Sequence, residues 1–406
     1  MRALIVSEGR SRAALAGVRA LGRAGWTVGV GEPIPRGLSA ASRFVERVHR
    51  VPLPEQDLER FHRAVAGAVE QGRYEVLFGS GDAEILALSA GRDSLGAVVP
   101  YGPHRSLIRA IDKTELMAAA ERAGLAVPRT VRATAEALDG IRGPFVVKAR
   151  LHWEPGREQS PPRLPAVLVP GAPEALRRAG EIEAEGGSAL VQEAVDGDLL
   201  SVTVVADADG RVLAAEQQTA GLTWPSGRGG ATRALTVPVD RVLVERVGAM
   251  LRDLEWFGLA QVQFMAPPGA EPRVIDLNGR FYGSMSLAVA SGPNFPDLWA
   301  RLATGRPVQA VPPSRAGVRF QWLEGDLRRA RVERRGGLGR DVLSCLRAAP
   351  GAVHSMWSRD DPAPFLNQVR HLVGLGGRKL GRKVASRGGS GSEGDAGPGP
   401  GKDAAA

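Results

Sequence analysis

Hydrophobic and polar residues alternate along the first hundred residues in a pattern that predicts strands separated by helices. An apolar strand at 3–7 is followed by a segment of helical spacing and by a second strand that ends at residue 31. This order predicts parallel strands joined by a right-handed crossover. A strand, turn and helix at 74–90 and a strand at 97–102 complete the pattern, so residues 1–105 are expected to form a small doubly wound α/β domain.

The next two hundred residues mix helices with hairpins. A helix is predicted over 108–124 and a strand over 144–150, and a second helix and strand follow up to residue 194. A hairpin then turns at 207–210, where Asp and Gly residues interrupt two apolar runs. Another helix is expected over 241–257.

The hairpin at 258–281 carries polar residues at every second position. Alternate side chains of a strand point to opposite faces, so one face is expected to be polar. A turn centred near residue 269 or 270 places Gln263 opposite Asp276 and Gln261 opposite Asn278, with Cβ atoms about 5 Å apart. The buried face is expected to contain Val262, Phe264, Ile275 and Leu277.

Composition limits the class of protein. The net charge is +9, but the basic residues are scattered among acids rather than gathered into stripes, so nucleic-acid binding is not expected. No apolar run is long enough to span a membrane. A single cysteine, Cys345, excludes an internal disulfide and a cysteine-cluster metal site, and a cytoplasmic protein is expected.

Lysine is scarce among the 53 lysine and arginine residues of the chain. Only five are lysines, and three of these lie in the polar tail after residue 376. The other two are Lys113 and Lys148. Lysine is a compact point charge suited to phosphate oxygens, whereas arginine forms a planar fork. Lys148 also lies within an apolar strand, where a charge needs a partner. A phosphate or a salt bridge would each explain it.

The polar face of the last hairpin suits a hard cation. Asp276, Asn278 and Gln263 offer one carboxylate and two amides, and Mg²⁺ accepts one or two carboxylates with phosphates and water. Arg280 follows at the next position of the same spacing and can support a phosphoryl oxygen. A glycine-rich loop, "GRGGATR", offers free backbone N–H groups. The alternative is a solvated strand face with incidental polar residues.

The order of these pieces, from about residue 108 to 310, resembles the ATP-grasp superfamily, and most closely its carbamoyl-phosphate-synthase-like carboxylate–amine ligases. The segment before it resembles the pre-grasp domain of that superfamily. Neither a GxGxxG fingerprint nor a P-loop is present. The matching segments are "DKTELMAAAERAGLAVPRT", "PFVVKAR", "VQEAVDGD", "GRGGATR" and "VQFM…VIDLNGRF".

The resemblance implies a role for each matching residue. Lys113 and Lys148 match the two phosphate-binding lysines, and Arg280 matches the catalytic arginine beside the transferred phosphoryl group. Four residues match the adenine edge and the glycine loop: Gln192, Glu193, Gly229 and Gly230, with the backbone of Val195 at the hinge. The implied metal ligands are Gln263, Asp276 and Asn278, which would bind Mg²⁺ or Mn²⁺ together with ATP.

The chain also departs from the usual pattern of that superfamily. The first metal position is neutral in Gln263, which the carbamoyl-phosphate-synthase branch also accepts, and Asp276 is one methylene shorter than the usual Glu. "NGR" replaces the common "NPR". The ribose-binding acid is not evident, and Asp198 is the candidate. These departures leave open a non-catalytic or regulatory ATP-binding protein.

The implied organisation is a Rossmann-like pre-grasp domain followed by a two-subdomain ATP-grasp fold. The expected boundaries are 1–105 for the first, 106–195 for a small lid, 196–310 for the large subdomain and 311–376 for a helical or mixed extension, with a disordered tail at 377–406. The implied partners are a small carboxylate and an amine. A homodimer is left open by the sequence.

A Pro/Gly-rich, charged loop, "LHWEPGREQSPPRLP", follows the strand that carries Lys148. Its composition and place predict a mobile segment that closes over ATP.

Overall fold

The computed structural model describes residues 1–141, 143–151, 165–227, 229–308 and 310–372. Nearly all of the loop predicted to close over ATP, and the predicted tail, lie outside these residues.

The strands and helices follow the predicted alternation. The strands are β1 (Arg2–Val6), β2 (Thr27–Glu32), β3 (Val45–Arg50), β4 (Val76–Gly79), β5 (Thr130–Arg132), β6 (Phe145–Ala149), β7 (Val167–Val169), β8 (Ala189–Glu193), β9 (Asp198–Ala206), β10 (Val212–Trp224), β11 (Gly230–Val237), β12 (Gly258–Ala266), β13 (Arg273–Asn278), β14 (Arg319–Gln321) and β15 (Val353–His354). The helices are α1 (Arg12–Arg23), α2 (Leu58–Gly72), α3 (Asp82–Ala90), α4 (His104–Ile111), α5 (Lys113–Arg122), α6 (Ala135–Leu138), α7 (Ala172–Ala184), α8 (Arg241–Asp253), α9 (Met285–Ser291), α10 (Phe295–Ala303), α11 (Leu323–Glu333) and α12 (Leu338–Ala348). Residues 363–372 are also helical.

The first sheet is parallel, with the order β3-β2-β1-β4. The predicted strand at 97–102 does not form, because Pro100 lacks a backbone donor and Val98 makes only an isolated bridge with Val76. Strand β3 was not predicted, since its sequence "VERVHR" is charged and mostly exposed at the sheet edge. The parallel order of the four strands confirms that the N-terminal segment is Rossmann-like, as predicted.

Two further sheets form the rest of the fold. A small sheet has the order β5-β8-β6-β7, and we call it the lid sheet. A large sheet has the order β13-β12-β9-β10-β11-β14-β15. The last two strands of the large sheet come from the segment predicted as an extension, so that segment completes the large sheet rather than standing apart from it.

The predicted helix at 108–124 is two helices that meet at Asp112. This residue ends α4, and its carboxylate then accepts hydrogen bonds from the backbone N–H groups of Thr114 (2.9 Å) and Glu115 (3.4 Å) at the start of α5. Such a carboxylate satisfies N–H groups that have no partner within the helix. The break places Lys113 at the first position of α5.

One hydrophobic core joins the first sheet to the large sheet, whereas the lid sheet has a separate core. Rings of Phe78, Phe281 and Trp299 pack with centroids 4.8 to 5.7 Å apart at this junction. Helix α1 packs closely against the Phe281 ring at Gly17, where a Cβ atom would lie only 2.5 Å from the ring. The N-terminal domain is therefore held firmly against the end of β13.

Candidate nucleotide and metal site

The register of the β12–β13 hairpin is as predicted. Gln261 lies opposite Asn278, and Gln263 lies opposite Asp276. A β-bulge follows, so that Phe264 pairs with Val274.

The bulge corrects one prediction about the buried face. Val274 is fully buried beside Phe264, while Ile275 is only partly buried and packs with a small cluster that includes Met265. A bulge inserts an extra residue into one strand and shifts the facing of the residues beyond it. Asp276 and Asn278 keep their predicted face because both follow the bulge in β13, where the pairing with β12 is regular.

Lys113 and Asp276 form an ion pair between α5 and β13. Burial opposes the charged carboxylate, but attraction and a hydrogen bond from Lys113 outweigh it, so the pKa of Asp276 lies below its ordinary value. The start of α5 is itself braced, because Arg150 binds the Asp112 carboxylate through contacts of 2.6 to 2.9 Å. The metal-binding candidate and one phosphate-binding candidate thus lie in direct contact.

Lys148 projects from β6 of the lid sheet toward the same strand. Its side chain is 8% exposed, and its Nζ donates to Gln192 Oε1 (3.0 Å) and to the carbonyl oxygen of Ile275 (3.3 Å), at the bulge. Burial, with a smaller contribution from Lys113, lowers the pKa of Lys148 to about 8. Among the described residues no carboxylate forms an ion pair with Lys148, so a structural salt bridge does not explain it.

The remaining adenine-edge candidates are arranged along β8 and the segment after it. Gln192 is buried and also donates from Nε2 to Thr130 Oγ1 (2.8 Å). Glu193 accepts from Arg273 (3.1 Å), so its carboxylate bridges the lid sheet to β13. Val195 is partly exposed, and Asp198 is exposed at the start of β9. Asp198 is not brought to the polar residues of β13 but pairs with Ala266, at the far end of β12.

The glycine loop and the polar face of the hairpin line one cavity of about 240 Å³, which we call the inner cavity. Gly229, Gly230, Gln263, Asn278 and Arg280 all line it. The position of Gly229 admits no side chain, since a Cβ would lie 2.0 Å from the Trp224 carbonyl.

Arg280 reaches across to the N-terminal domain. Its Nε donates to Asp82 Oδ1 (2.6 Å) at the first position of α3. Although burial disfavours the charged guanidinium, the attraction and hydrogen bond of Asp82 hold the pKa of Arg280 above its ordinary value. Sequence reasoning missed Asp82, which lies 198 residues from its partner and carries no signal except its place after the turn "GSG".

A larger cavity of about 1280 Å³ lies between α5 and the lid sheet. It is lined by Glu193, Arg150 and Arg273 but by neither Lys148 nor Asp276. The larger cavity is therefore distinct from the place where Lys113, Lys148 and Asp276 meet between α5, β6 and β13.

The donor set of the hairpin fits a divalent cation. Asp276 supplies a carboxylate, and the Asn278 amide nitrogen donates to Gln261 Oε1 (3.1 Å), which leaves the Asn278 oxygen available as a ligand. Hard oxygen donors of this kind suit Mg²⁺ when phosphates complete the shell. In the described part of the chain, no cluster of three or more His, Cys, Asp or Glu residues offers a different metal site.

The three sheets have the arrangement of the ATP-grasp fold, and comparisons with known proteins agree. The chain is similar to an L-amino acid ligase from Bacillus licheniformis, with 16% identity and a TM-score of 0.59 over 77% of this chain and 78% of the other. It is similar to an N5-carboxyaminoimidazole ribonucleotide synthetase from Thermotoga maritima, with 14% identity and a TM-score of 0.56 over 79% of each chain. It is also similar to the biotin carboxylase domain of a Hydrogenobacter thermophilus 2-oxoglutarate carboxylase in complex with MgADP and bicarbonate, with 13% identity and a TM-score of 0.60 over 78% of this chain and 73% of the other.

Residues 187–326 match the family described as "ATP-grasp in the biosynthetic pathway with Ter operon". No curated protein gives a significant match. The predicted ATP-grasp fold is confirmed by these structures, and the family match lies within the part of the chain that forms the large sheet and the end of the lid sheet. Within the described residues, no helix has the length and apolar character needed to cross a membrane.

Proposed function

We propose that the protein is an ATP- and Mg²⁺-dependent ligase that activates a small carboxylate as an acyl phosphate for attack by an amine or a similar nucleophile. The products would be ADP, phosphate and a new C–N bond. Domains are proposed as predicted: a pre-grasp domain, a lid around the lid sheet and a large subdomain that carries the metal site. ATP would lie between the last two.

The observation that carries this proposal is that two isolated lysines from different elements contact adjacent residues of β13. Lys113 from α5 contacts Asp276, and Lys148 from the lid sheet contacts the backbone one residue earlier in β13. Two cations beside one partly exposed acid leave the site with positive charge in excess. A polyphosphate with a divalent cation would neutralise it.

Each residue then has a distinct task. Lys113 and Lys148 would hold phosphate oxygens, and Gln192, Glu193 and Val195 would line the adenine edge. Gly229 and Gly230 would present backbone N–H groups to the phosphates. Asp198 stays the candidate for the ribose. Gln263, Asp276 and Asn278 would hold Mg²⁺, which supplies charge neutralisation when bound.

Arg280 would stabilise the phosphoryl group during transfer. A carboxylate oxygen of the substrate forms a bond to the γ-phosphorus, and the bond from that phosphorus to the bridging oxygen of ADP breaks. The amine then forms a bond to the carbonyl carbon, loses a proton and expels phosphate. Positioning and preorganised positive charge account for catalysis in such a site, and no side-chain nucleophile is needed.

The alternative, an ATP-binding protein without ligase activity, is favoured by one feature. The metal site has a single carboxylate, Asp276, because Gln263 is neutral. Fewer charges weaken metal binding without removing it.

Release of ADP distinguishes the two functions. We expect MgATP-dependent ADP release only when a carboxylate and an amine are both supplied from a panel of small compounds. Binding of MgATP without any compound-dependent release across the panel would favour the alternative.

A further inference from the structure

Arg12, which belongs to the N-terminal domain, lines the inner cavity. It is the first residue of α1, a helix whose residues from Ala13 to Leu21 are all buried, so its backbone position is fixed. Its guanidinium stacks on Trp322 with the Cζ atom 3.6 Å from the ring centroid. Trp322 is held in turn by a backbone hydrogen bond to Thr232 (2.8 Å) in β11.

No hydrogen bond or ion pair to Arg12 occurs among the described residues, and its Nη1 is buried without a partner. Glu324 attracts it only at longer range and is itself paired with Arg328 (2.5 Å). A buried guanidinium is costly unless an anion compensates it. The stack orients the group, and no described residue contacts it through a hydrogen bond or an ion pair.

Arg12 and Arg280 are the charged residues that line the inner cavity, and no described carboxylate lines it. The other polar groups are neutral amides and hydroxyls. Among them, Gln218 is 3% exposed, donates from Nε2 to Ser284 Oγ (2.9 Å) and leaves its Oε1 without a partner. The cavity is therefore lined by two cations and by a residue, Gln218, with an unpaired acceptor atom.

The cavity on the other side of Arg12 and Arg280 has the opposite character. It has a volume of about 480 Å³, and besides those two arginines it is lined by Arg10 and by four acids, Glu8, Glu55, Asp82 and Glu84. Because its acids outnumber its arginines, a small anion is less favoured there than in the inner cavity, which has two arginines and no described carboxylate. A small anion is thus directed to the inner cavity, beside the glycine loop and the metal candidates.

We propose that the inner cavity binds the carboxylate substrate of the proposed ligase, with its carboxylate on Arg12 and with an uncharged hydrogen-bond donor, such as a hydroxyl, on Gln218 Oε1. This assignment rests on the proposed function. It names a small, polar, anionic substrate and excludes one that carries an ammonium group into this cavity, since no described acid lines the cavity to receive it. Arg12 is then a substrate-binding residue supplied by the N-terminal domain.

Glycolate and glycolamide provide matched probes, because they have the same shape and hydroxyl but only glycolate is charged. The experiment measures thermal stabilisation of the full chain by each probe in the presence of MgADP. The variants are Arg12→Gln, Arg12→Lys and, as a control, Arg23→Gln at the exposed end of the same helix. Hydrogen bonds between charged groups support an expectation of at least about tenfold weaker glycolate binding in Arg12→Gln.

We expect glycolate to stabilise the parent and Arg23→Gln, Arg12→Lys to retain part of the effect, and glycolamide to have little. Equal effects of the two probes, or an undiminished glycolate effect in Arg12→Gln, would overturn the assignment. If the parent shows no MgADP stabilisation but still binds glycolate through Arg12, the anion site stands and the ligase proposal fails.

A second measurement needs no variant and so does not depend on folding. Phenylglyoxal modifies arginine side chains, and the rate at Arg12 can be followed by peptide mapping with mass spectrometry. Glycolate should slow modification of Arg12 severalfold relative to glycolamide, while Arg63, an exposed arginine on α2, should react equally with both. Equal rates at Arg12 would reject the proposed contact.

Discussion

Replacing Lys148 with methionine removes a buried charge and keeps the length of the side chain. Lowering the pKa of Lys148 from 10.5 to about 8 corresponds to about 3 kcal/mol of unfavourable burial at neutral pH. The variant is relieved of that cost, but it leaves both Gln192 Oε1 and the carbonyl oxygen of Ile275 without this donor, at about 1–3 kcal/mol for each. We therefore expect the free energy of unfolding of Lys148→Met without nucleotide to lie between about 3 kcal/mol below and about 1 kcal/mol above that of the parent.

The same substitution should abolish nucleotide binding. A ligand present at a hundred times its Kd stabilises the native state by about 2.7 kcal/mol. We expect the parent to show this increase with MgATP and Lys148→Met to show none. The matched control is Arg132→Met, which removes an exposed cation from β5 of the same lid sheet. It should keep the response.

Thermal unfolding with and without MgATP measures both effects. A Lys148→Met protein that binds MgATP as the parent does would refute the phosphate role. A large loss of stability without nucleotide would instead show that Lys148 is a structural residue.

Three further predictions follow from the site. As the pH rises above about 8, Lys148 loses its proton in the free protein, so MgADP affinity measured by calorimetry should fall. Without nucleotide, the free energy of unfolding should rise between about pH 8 and pH 10.5, because Lys148 binds more protons in the unfolded chain than in the folded one over that range. Asp276→Asn should weaken Mg²⁺-dependent ATP binding more than Asn278→Asp, because it removes the only carboxylate of the metal candidates; equal calorimetric titrations would contradict this. Gly229→Ala should displace the glycine loop, because the added Cβ would lie 2.0 Å from the Trp224 carbonyl. We expect at least about tenfold weaker MgATP binding, which is the cost of one lost charge-assisted hydrogen bond. Unchanged MgATP affinity would argue against a phosphate-binding role for the loop.

The hairpin register is predictable because a two-residue period and a defined turn leave few alternatives. The alternation of apolar and polar residues about that turn is enough to place Gln263 opposite Asp276. The bulge at Ile275 is not predictable, since an inserted residue leaves the local pattern of apolar and polar residues almost unchanged. The bulge bears on the proposed site, because the carbonyl oxygen of Ile275 accepts a hydrogen bond from Lys148.

Contacts between distant elements could not be read from the sequence. Arg280 was assigned to a phosphoryl group, but its partner Asp82 and its neighbour Arg12 come from the N-terminal domain. Both begin helices after short polar turns, a pattern common to many surface helices. Packing of α1 against Phe281 places Arg12 at the site, whereas Asp82 reaches it from the start of α3.

Transfer of oxygen from a carboxylate to phosphate tests the central claim most directly. The full chain is incubated with MgATP, a panel of amines and small hydroxycarboxylates labelled with ¹⁸O in the carboxylate, and the released phosphate is analysed by mass spectrometry. An acyl phosphate intermediate predicts ADP together with ¹⁸O-labelled phosphate. Release of AMP, release of unlabelled phosphate, or no carboxylate-dependent release across the panel would contradict the proposed ligase.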